Sequence, residues 1–389
     1  MRKSNTTSRL LLLFSSVFLF SSIAFSSETR VATMGSVGIF VKDQSNVMLF
    51  PGTLLQYNDL VVAEMRAKKT NSAYSLGLHM NYGDMTSGLY INMPIGSAIV
   101  STGLANFGGL TATLNNGYAF MLGMKMGGMD AGFGIITAGS SFDDGGDPKT
   151  EESTYYIGLL AGVSNDMMDL GLLIELPSIT QEAGAAPKEE YSGFAITASG
   201  RYFLMKRRGA SIFPVGRLSF GSSSYEISGG GGTVDFGLLS VAAGVGVEKP
   251  INENNLLIVG VEAISYTSGT ADLKGFGETT TSVITLPGIY VGVESRISSW
   301  LIGRLGAAHV NQQTVTEIKP DGGSSSETTT DGSNFKVSLG LGMEFGDFLV
   351  DFAFNEGLLF DGPAIISNTG EVLASRISVT YNFGGGEDE

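Results

Sequence analysis

Residues 372–383 read VLASRISVTYNF, and from position 376 onward polar and apolar side chains alternate. Because side chains along a β-strand point to opposite faces in turn, this pattern predicts a strand with one apolar and one polar face. The apolar face consists of Ile377, Val379, Tyr381 and Phe383. A strand of this kind is suited to a wall that separates lipid from water.

The composition of the whole chain agrees with that prediction. Charged residues make up 16% of the 389 residues, and apolar residues reach 43%; soluble domains carry roughly 25% charged residues. The chain has no cysteine, which excludes disulfides, a lipoprotein anchor and thiolate metal sites, and we predict no cofactor. The net charge of −15 would repel phosphate backbones, so nucleic acid is not an expected partner.

Residues 1–26 predict a secretory signal peptide. The start is basic, with Arg2, Lys3 and Arg9, and an apolar centre runs from Leu10 to Phe20. A small-x-small cleavage site follows at Ala24 to Ser26. No later stretch has the roughly 18 unbroken apolar residues that a membrane helix needs. Two classes remain, a secreted β-sandwich array and a transmembrane β-barrel.

Sixteen candidate strands follow, and short turns alternate with long loops between them. Gly127-Gly128 is one of the short turns, and residues 267–278 and 319–333 are two of the long loops. An up-and-down barrel has short periplasmic turns and long outer loops, whereas a sandwich array has no reason to sort its connections. We therefore predict an all-β fold, a transmembrane up-and-down antiparallel β-barrel of about 14–16 strands. We predict that residues 27–58 form an N-terminal plug or periplasmic leader, that residues 59–383 form the barrel, and that residues 384–389 form an acidic C-terminal tail.

Charged side chains fall on the polar faces of the candidate strands. A barrel turns these faces inward, because an Arg or Lys facing lipid at mid-membrane costs about 2–4 kcal/mol. The predicted lumen charges are Glu64, Arg66, Asp169, Glu175, Arg201, Arg217, Glu262, Glu294, Arg296, Arg304, Lys336, Glu344, Asp351 and Arg376. Both signs are present, so the lumen is either a polar pore lining, a salt-bridged support for a plug, or a solvated wall without selectivity.

The sequence offers no catalytic or metal-binding constellation. His79 and His309 are the only histidines and lie on separate candidate strands, whereas a zinc site would need them together with a carboxylate. A nucleophile elbow at a strand-to-helix turn is also missing. We predict that the chain is not an enzyme and binds no metal.

Aromatic residues near the predicted strand ends suggest the interfacial girdles of a membrane barrel. They are Tyr82, Tyr90, Tyr118, Tyr202, Phe203, Tyr266, Trp300 and Phe383. The last strand, ending in Phe383, resembles the closing strand of bacterial outer-membrane barrels, which the barrel-insertion machinery reads. We therefore expect the bacterial outer membrane as the location, and its lipid and the insertion machinery as partners.

The passage from Thr33 to Leu54 resembles the start of outer-membrane transporters of the FadL/TodX type and of the related PorV-like barrels. A Gly-rich opening, Asp43 and Pro51-Gly52 carry the resemblance, although Phe50 stands where the family has Asn. The resemblance implies a barrel, usually of fourteen strands, that is plugged by its N-terminal segment and passes small hydrophobic compounds. Candidate plug or ligand-lining residues are Met34, Val37, Ile39, Phe40, Met48, Leu49, Phe50 and Pro51. The alternative is that these residues only pack the plug against the wall.

Three functions follow from these observations. Passive uptake of a small hydrophobic solute across the outer membrane is the leading expectation, because the leader resembles a plug and is apolar. The mixed charge of the lumen favours, as the alternative, a general diffusion porin for polar solutes. Long acidic loops would instead suit a non-transport scaffold or surface-interaction protein.

Overall fold

The computed structural model describes residues 28–67, 72–93, 117–146, 150–183, 187–207, 209–228, 232–354 and 373–384. The predicted signal peptide and the acidic tail beyond residue 384 lie outside these ranges, as do residues 94–116. Near the start of the described chain, helix α1, Glu28–Thr33, precedes three 3-10 turns, Gly38–Phe40, Gln44–Asn46 and Pro51–Gln56. In the described ranges no helix is both long enough and apolar enough to cross a bilayer.

The described chain consists mainly of strands. In chain order, β1 to β17 are Leu60–Ala67, Ser72–Tyr82, Met85–Met93, Gly117–Met126, Met129–Asp143, Thr150–Ser164, Met168–Ala183, Glu189–Tyr202, Met205–Arg207, Ala210–Ile227, Gly232–Asn252, Asn255–Leu273, Gly277–Arg296, Leu301–Pro320, Ser326–Phe345, Phe348–Phe354 and Ala374–Asn382.

All strand pairings are antiparallel and follow the chain order, and the sheet closes on itself. β1 pairs with β2 on one side and with β17 on the other, so that Leu60 lies opposite both His79 and Asn382. β8 and β9 pair with successive parts of β10 and form one interrupted strand of the wall. The described chain thus forms a closed barrel of sixteen strands, which confirms the predicted fold class and the upper end of the predicted strand count.

The outer surface carries an apolar belt. On β15, Phe335, Leu339 and Phe345 point outward and are exposed, while Gly340 between them faces α1 inside the barrel. From Phe335 to Phe345 the strand rises about 34 Å at roughly 3.4 Å per residue, and a tilt of about 40° reduces this to the ~25 Å height of a lipid-facing band. A closed barrel with such a belt and with charges inside is a transmembrane β-barrel of the bacterial outer membrane.

The barrel wall is much taller on one side. Strands β11 to β15 each have 19 to 21 residues, whereas β1, β3 and β16 have 8, 9 and 7. The long loops predicted at 267–278 and 319–333 are therefore mostly wrong, because pairing continues through them and leaves only residues 274–276 and 321–325 as turns. Beyond the belt, hydroxyl side chains of neighbouring strands form hydrogen bonds, such as that between Thr281 and Thr316 at 3.4 Å.

Two of the predicted girdle aromatics face the lumen instead. Tyr90 is 8% exposed and its hydroxyl lies 2.5 Å from Nε2 of His79. The ring of Phe203 packs on Phe213 with the ring centroids 5.1 Å apart, at the point where β8 is interrupted. By contrast, Trp300 is exposed at the short-turn rim, as expected for a girdle.

Candidate functional site in the barrel lumen

The residues that precede β1 lie inside the barrel, and we call residues 28–58 the inner segment. Helix α1 contacts β14 to β17, whereas the turn Pro51–Gln56 contacts β3 to β7 across the lumen. Between them, the turn Gly38–Phe40 contacts β11 and β12. The inner segment therefore crosses the lumen from one wall to the other.

Glycines on the inner faces of the strands make room for the backbone of the inner segment. A Cβ atom on Gly171 would lie 1.9 Å from the carbonyl oxygen of Leu49, and one on Gly306 would lie 1.8 Å from the amide nitrogen of Gly35. Similar contacts recur for Gly132 and Gly162 against Pro51, Gly292 against Met34 and Gly340 against Thr33. All of these glycines lie near the short turns of their strands. The inner segment therefore lies at the end of the lumen that faces the periplasm in barrels of this class.

Arg30 in α1 begins a chain of ion pairs that joins the inner segment to the wall. Its guanidinium donates to Asp43 at 2.5 Å and to both oxygens of Glu294 on β13, at 2.8 and 3.2 Å. Glu294 also accepts from Arg304 on β14 at 2.6 Å, and Arg304 donates in turn to Asp351 on β16. Burial opposes the charge of Arg30, but Asp43 and Glu294 outweigh it and raise the pKa of Arg30. We call these five residues the ion network.

Arg201 on β8 holds the middle of the inner segment. Its Nε donates to Asp169 on β7 at 2.5 Å, and both side chains are 1% exposed. Its Nη1 donates to the carbonyl oxygen of Val41 at 2.6 Å, and its guanidinium lies 4.6 Å from the ring centroid of Phe50. This residue thus combines a buried ion pair, a backbone hydrogen bond and a cation–π contact.

Another part of the lumen is apolar. A continuous cluster of buried side chains begins in the inner segment at Val47, Met48 and Leu54, and its main members on the wall are Met121, Ile136, Ala138, Tyr156, Leu160, Leu173, Ile179, Tyr191, Ala195, Tyr225, Val234, Phe236 and Leu238. We call this cluster the apolar strip. It reaches the outer end of the wall, because Val234 is two residues from the start of β11 at the long-loop end.

The predicted plug residues pack against the wall in two groups. The first group belongs to a second apolar cluster with residues of β10 and β12, and comprises Met34, Val37, Ile39 and Phe40. The second group contacts the apolar strip, the glycines of β5 to β7 or Arg201, and comprises Met48, Leu49, Phe50 and Pro51. Both groups therefore contact the wall of the barrel, and their role in lining a path for a ligand stays a prediction.

Most of the predicted lumen charges are joined to partners. Glu294, Arg304 and Asp351 belong to the ion network, and Lys336 and Arg376 lie outside it. Further pairs are Glu64 with Arg66 at 2.7 Å, Asp169 with Arg201, and Arg296 with Glu344 at the rim, while Glu175 accepts a hydrogen bond from Tyr156 at 3.0 Å. The structure does not join Arg217 and Glu262 to any described residue by a hydrogen bond or an ion pair.

Sequence reasoning missed the aromatic lining of the lumen and the connection at the end of the inner segment. Tyr156 and Tyr191 are 0% and 1% exposed, and on β6 the residues around Tyr156 are apolar on both faces of the strand, which is the signal that could have revealed them. The ring of His79 bridges the carbonyl oxygen of Tyr57 and the hydroxyl of Tyr90. Within the described ranges no group of three or more His, Asp or Glu side chains could hold a metal ion.

Comparison with known proteins returns barrels at low similarity. No family model matches the sequence, and no curated protein matches it significantly. The ferric yersiniabactin uptake receptor FyuA from Yersinia pestis aligns with a TM-score of 0.40 and 12% identity over 61% of this chain and 44% of the receptor. This chain therefore spans less than half of that receptor's length. The monoaromatic hydrocarbon channel CymD aligns with a TM-score of 0.39 and 11% identity over 94% of this chain and 99% of CymD. The deltaS2 mutant of the monoaromatic hydrocarbon channel TodX aligns with a TM-score of 0.38 and 9% identity over 94% of this chain and 100% of TodX. These values are too low to assign the chain to a family or a solute.

Proposed function

We propose that this barrel lets small hydrophobic molecules enter across the outer membrane by passive diffusion along the apolar strip. The observation that carries the proposal is the continuity of the strip, from Val234 and Phe236 at the outer end of the lumen to Met48 and Leu54 of the inner segment. An apolar solute gains about 25 cal/mol for each Å² of surface that it buries against such a lining. A sugar or an ion would instead lose hydrogen bonds to water.

The inner segment closes the inward end of the strip in the proposed channel. Residues 47–55 touch the wall mainly through apolar side chains, and an apolar solute can replace such contacts without leaving a polar group unpaired, whereas Gln56 and Tyr57 stay hydrogen-bonded to Ser164 and His79. We expect these residues to move aside when a solute passes. The resemblance of residues 33–54 to the plugged FadL/TodX barrels supports the same role.

The geometry of the barrel wall is also compatible with a lateral route, by which a solute would leave the lumen into the membrane. A groove of about 510 Å³ lies on the lipid side of β1 to β3 and β17, and its apolar lining includes Met65, Tyr74, Leu76 and Ile377. Beside it the pairing of β3 shifts register between Tyr90 and Met93. Asn92 has a left-handed backbone with φ 56°, typical of a bulge that bends a strand.

Uptake by whole cells tests the proposal. Cells with an intact lipopolysaccharide layer that express the protein should accumulate radiolabelled ethylbenzene faster than cells without it, but take up a disaccharide no faster. Ala138→Phe places a ring in the apolar strip, where Ala138 is 3% exposed, and should slow the uptake. Ala198→Phe, on the lipid-facing side of β8, is the matched control. Equal uptake by all of these cells would disprove the proposal.

Conductance in planar bilayers distinguishes the porin alternative. The chain from residue 27 should be electrically quiet, and a chain without residues 27–58 should conduct steadily. Stable ion conductance by both would indicate an open pore for polar solutes.

A further inference from the structure

Two charged side chains in the lumen differ from all the others. Arg217 on β10 and Glu262 on β12 lie on the inner faces of their strands and make no hydrogen bond or ion pair with any described residue. The two groups have opposite charges, but no hydrogen bond or ion pair joins them. Placing a charge in a protein interior without a partner is costly, and such residues are concentrated at functional sites.

The surroundings of Arg217 suit an anionic group. Opposite Arg217 in the sheet lie Ser199 on β8 and Ala242 on β11. The hydroxyl of Ser199 and the Nε of Arg217 are both buried and have no hydrogen-bond partner. A guanidinium beside a free hydroxyl donor is suited to a carboxylate, which accepts several hydrogen bonds at once.

The surroundings of Glu262 suit a cationic group. Glycines flank it on both neighbouring strands, Gly244 and Gly288, so the space beside its carboxylate is not filled by side chains of those two positions. A Cβ on Gly288 would lie 3.3 Å from both the Cβ of Glu262 and the hydroxyl of Tyr290. The carboxylate and the adjacent aromatic ring are the two features that bind ammonium groups.

The local irregularity of the wall is a second sign that this region is not optimised for structure alone. The register of β11 and β12 shifts between Ala243 and Gly244, and that of β13 and β14 shifts between Thr285 and Gly288. Both bulges adjoin Glu262. Bulges redirect side chains and are common beside binding sites.

Apolar surface lies directly beside Glu262, which is opposite Gly244 in the sheet. The ring of Phe40 in the inner segment packs against Gly244 and Gly260, and its centroid is 5.6 Å from that of Tyr290. A molecule held between Arg217 and Glu262 would therefore touch the aromatic surface of the inner segment.

We propose that Arg217, Ser199 and Glu262 form a subsite for an apolar zwitterion, an amino acid with a hydrophobic side chain. Its carboxylate is bound by Arg217 and Ser199, its ammonium by Glu262 beside Tyr290, and its side chain by Phe40. The inference rests on the proposed passage of small hydrophobic molecules through the lumen and adds to them amino acids whose hydrophobic side chain lies on the apolar surface while the subsite binds both charges.

Four probes of similar shape test the subsite by titration calorimetry on the folded protein in detergent. They are phenylalanine with both charges, 3-phenylpropionate with the negative charge, 2-phenylethylamine with the positive charge, and propylbenzene with neither. Phenylalanine should bind at least about tenfold more tightly than any other probe, because each charge-assisted hydrogen bond adds affinity. Equal binding of all four, or tightest binding of propylbenzene, would overturn the inference.

Variants assign the two charges separately. Arg217→Met should weaken phenylalanine about tenfold and spare 2-phenylethylamine, and Glu262→Gln should weaken phenylalanine and spare 3-phenylpropionate. Arg296→Met, at the rim, is the control and should leave the order of the probes unchanged. A lack of effect of both lumen variants would contradict the subsite.

A measurement without ligand guards against misfolded variants. Because Arg217 and Glu262 have no partner to lose, both variants should keep or raise the urea midpoint of unfolding; a large fall would indicate that the charges are structural. Failure of the subsite and failure of the proposed function are distinguishable. Ethylbenzene uptake without a preference for phenylalanine overturns only the subsite, whereas tight phenylalanine binding without ethylbenzene uptake overturns only the general hydrophobic passage.

Discussion

Two parts of the inner segment are held in the lumen by different forces. Residues 28–43 are joined to β13, β14 and β16 by the ion network and to β8 by Arg201. Residues 47–57 lie against β3 to β7 mainly through apolar side chains, with their backbone against glycines, and only Gln56 and Tyr57 at their end add hydrogen bonds, to Ser164 and His79. The first part depends on charges that must keep their partners, and the second on contacts that a hydrophobic molecule can replace.

This difference separates anchoring from movement. Breaking a buried ion pair leaves an uncompensated charge and costs about 3–5 kcal/mol, so residues 28–43 should stay in place while a solute passes. Apolar contacts have no strict geometry, so an apolar side chain that leaves one apolar surface can form equivalent contacts with another. We therefore expect residues 47–57 to be the mobile part.

The largest effect is expected from Arg304→Met. Arg304 is 1% exposed and holds Glu294 and Asp351, so its loss should lower the free energy of unfolding by about 3–5 kcal/mol in urea titrations. Hydrogen exchange should accelerate at the amides of Ser36, Phe40 and Val41, which are bonded within the first part, and not in residues 50–57.

Adding Asp351→Asn to Arg304→Met provides the control for that experiment. It removes one of the orphaned carboxylates and should restore part of the lost stability. Accelerated exchange throughout residues 28–58 in the single variant would show that the two parts of the inner segment are one unit.

Leu54→Ala should give the opposite exchange pattern. Leu54 is fully buried in the apolar strip, and the cavity should cost about 2–5 kcal/mol and accelerate exchange at Thr53 and Tyr57 while sparing residues 31–41. Propylbenzene should recover part of the stability because apolar cavities bind apolar ligands. Leu159→Ala, on the lipid face, is the control. If propylbenzene did not raise the stability of Leu54→Ala, the contacts of residues 47–57 would not be replaceable by an apolar solute.

The sequence predicted the barrel because lipid on one side and water on the other impose a period of two, as in residues 335–345. The prediction of the strands failed where the wall no longer lies between lipid and water. Beyond the belt, β12 to β15 continue with threonine and serine on both faces, so hydropathy no longer marks the strands. The sequence pattern predicts Tyr90 in the girdle, whereas the register of β3 turns it inward together with Thr86 and Gly88.

The ion pairs in the lumen also show which contacts a local sequence pattern can predict. Glu294 and Arg304 are ten residues apart on two sides of a short turn, so the hairpin of β13 and β14 alone places them near each other. Arg30 meets Glu294 from 264 residues away, and no local pattern indicates that contact. The isolation of Arg217 and Glu262 is likewise a property of the closed barrel, since both could have been expected to find partners.

Gly171→Ala tests how closely the second part lies against the wall. The added methyl group would stand 1.9 Å from the carbonyl oxygen of Leu49, so residues 48–51 must shift, and we expect a loss of about 1–3 kcal/mol in unfolding free energy with more frequent channel openings in bilayers. Gly216→Ala is the matched control because its nearest atom would be 3.8 Å away. Identical behaviour of the two variants would mean that the close backbone contact has no role.

The smallest effect is expected from Arg296→Met. Arg296 on β13 pairs with Glu344 on β15, in the same part of the wall as the ion network, yet these side chains are 39% and 31% exposed. Arg296 and Arg304 both pair with carboxylates of neighbouring strands and differ in burial. An exposed ion pair contributes about 0–1 kcal/mol, and the loss should vanish in high salt, whereas that of Arg304→Met should persist because buried pairs are screened little. Hydrogen exchange should be unchanged in both parts of the inner segment. If Arg296→Met instead destabilised the protein as much as Arg304→Met, burial would not explain the anchoring, and the contrast between the two parts would have to be attributed to charge alone.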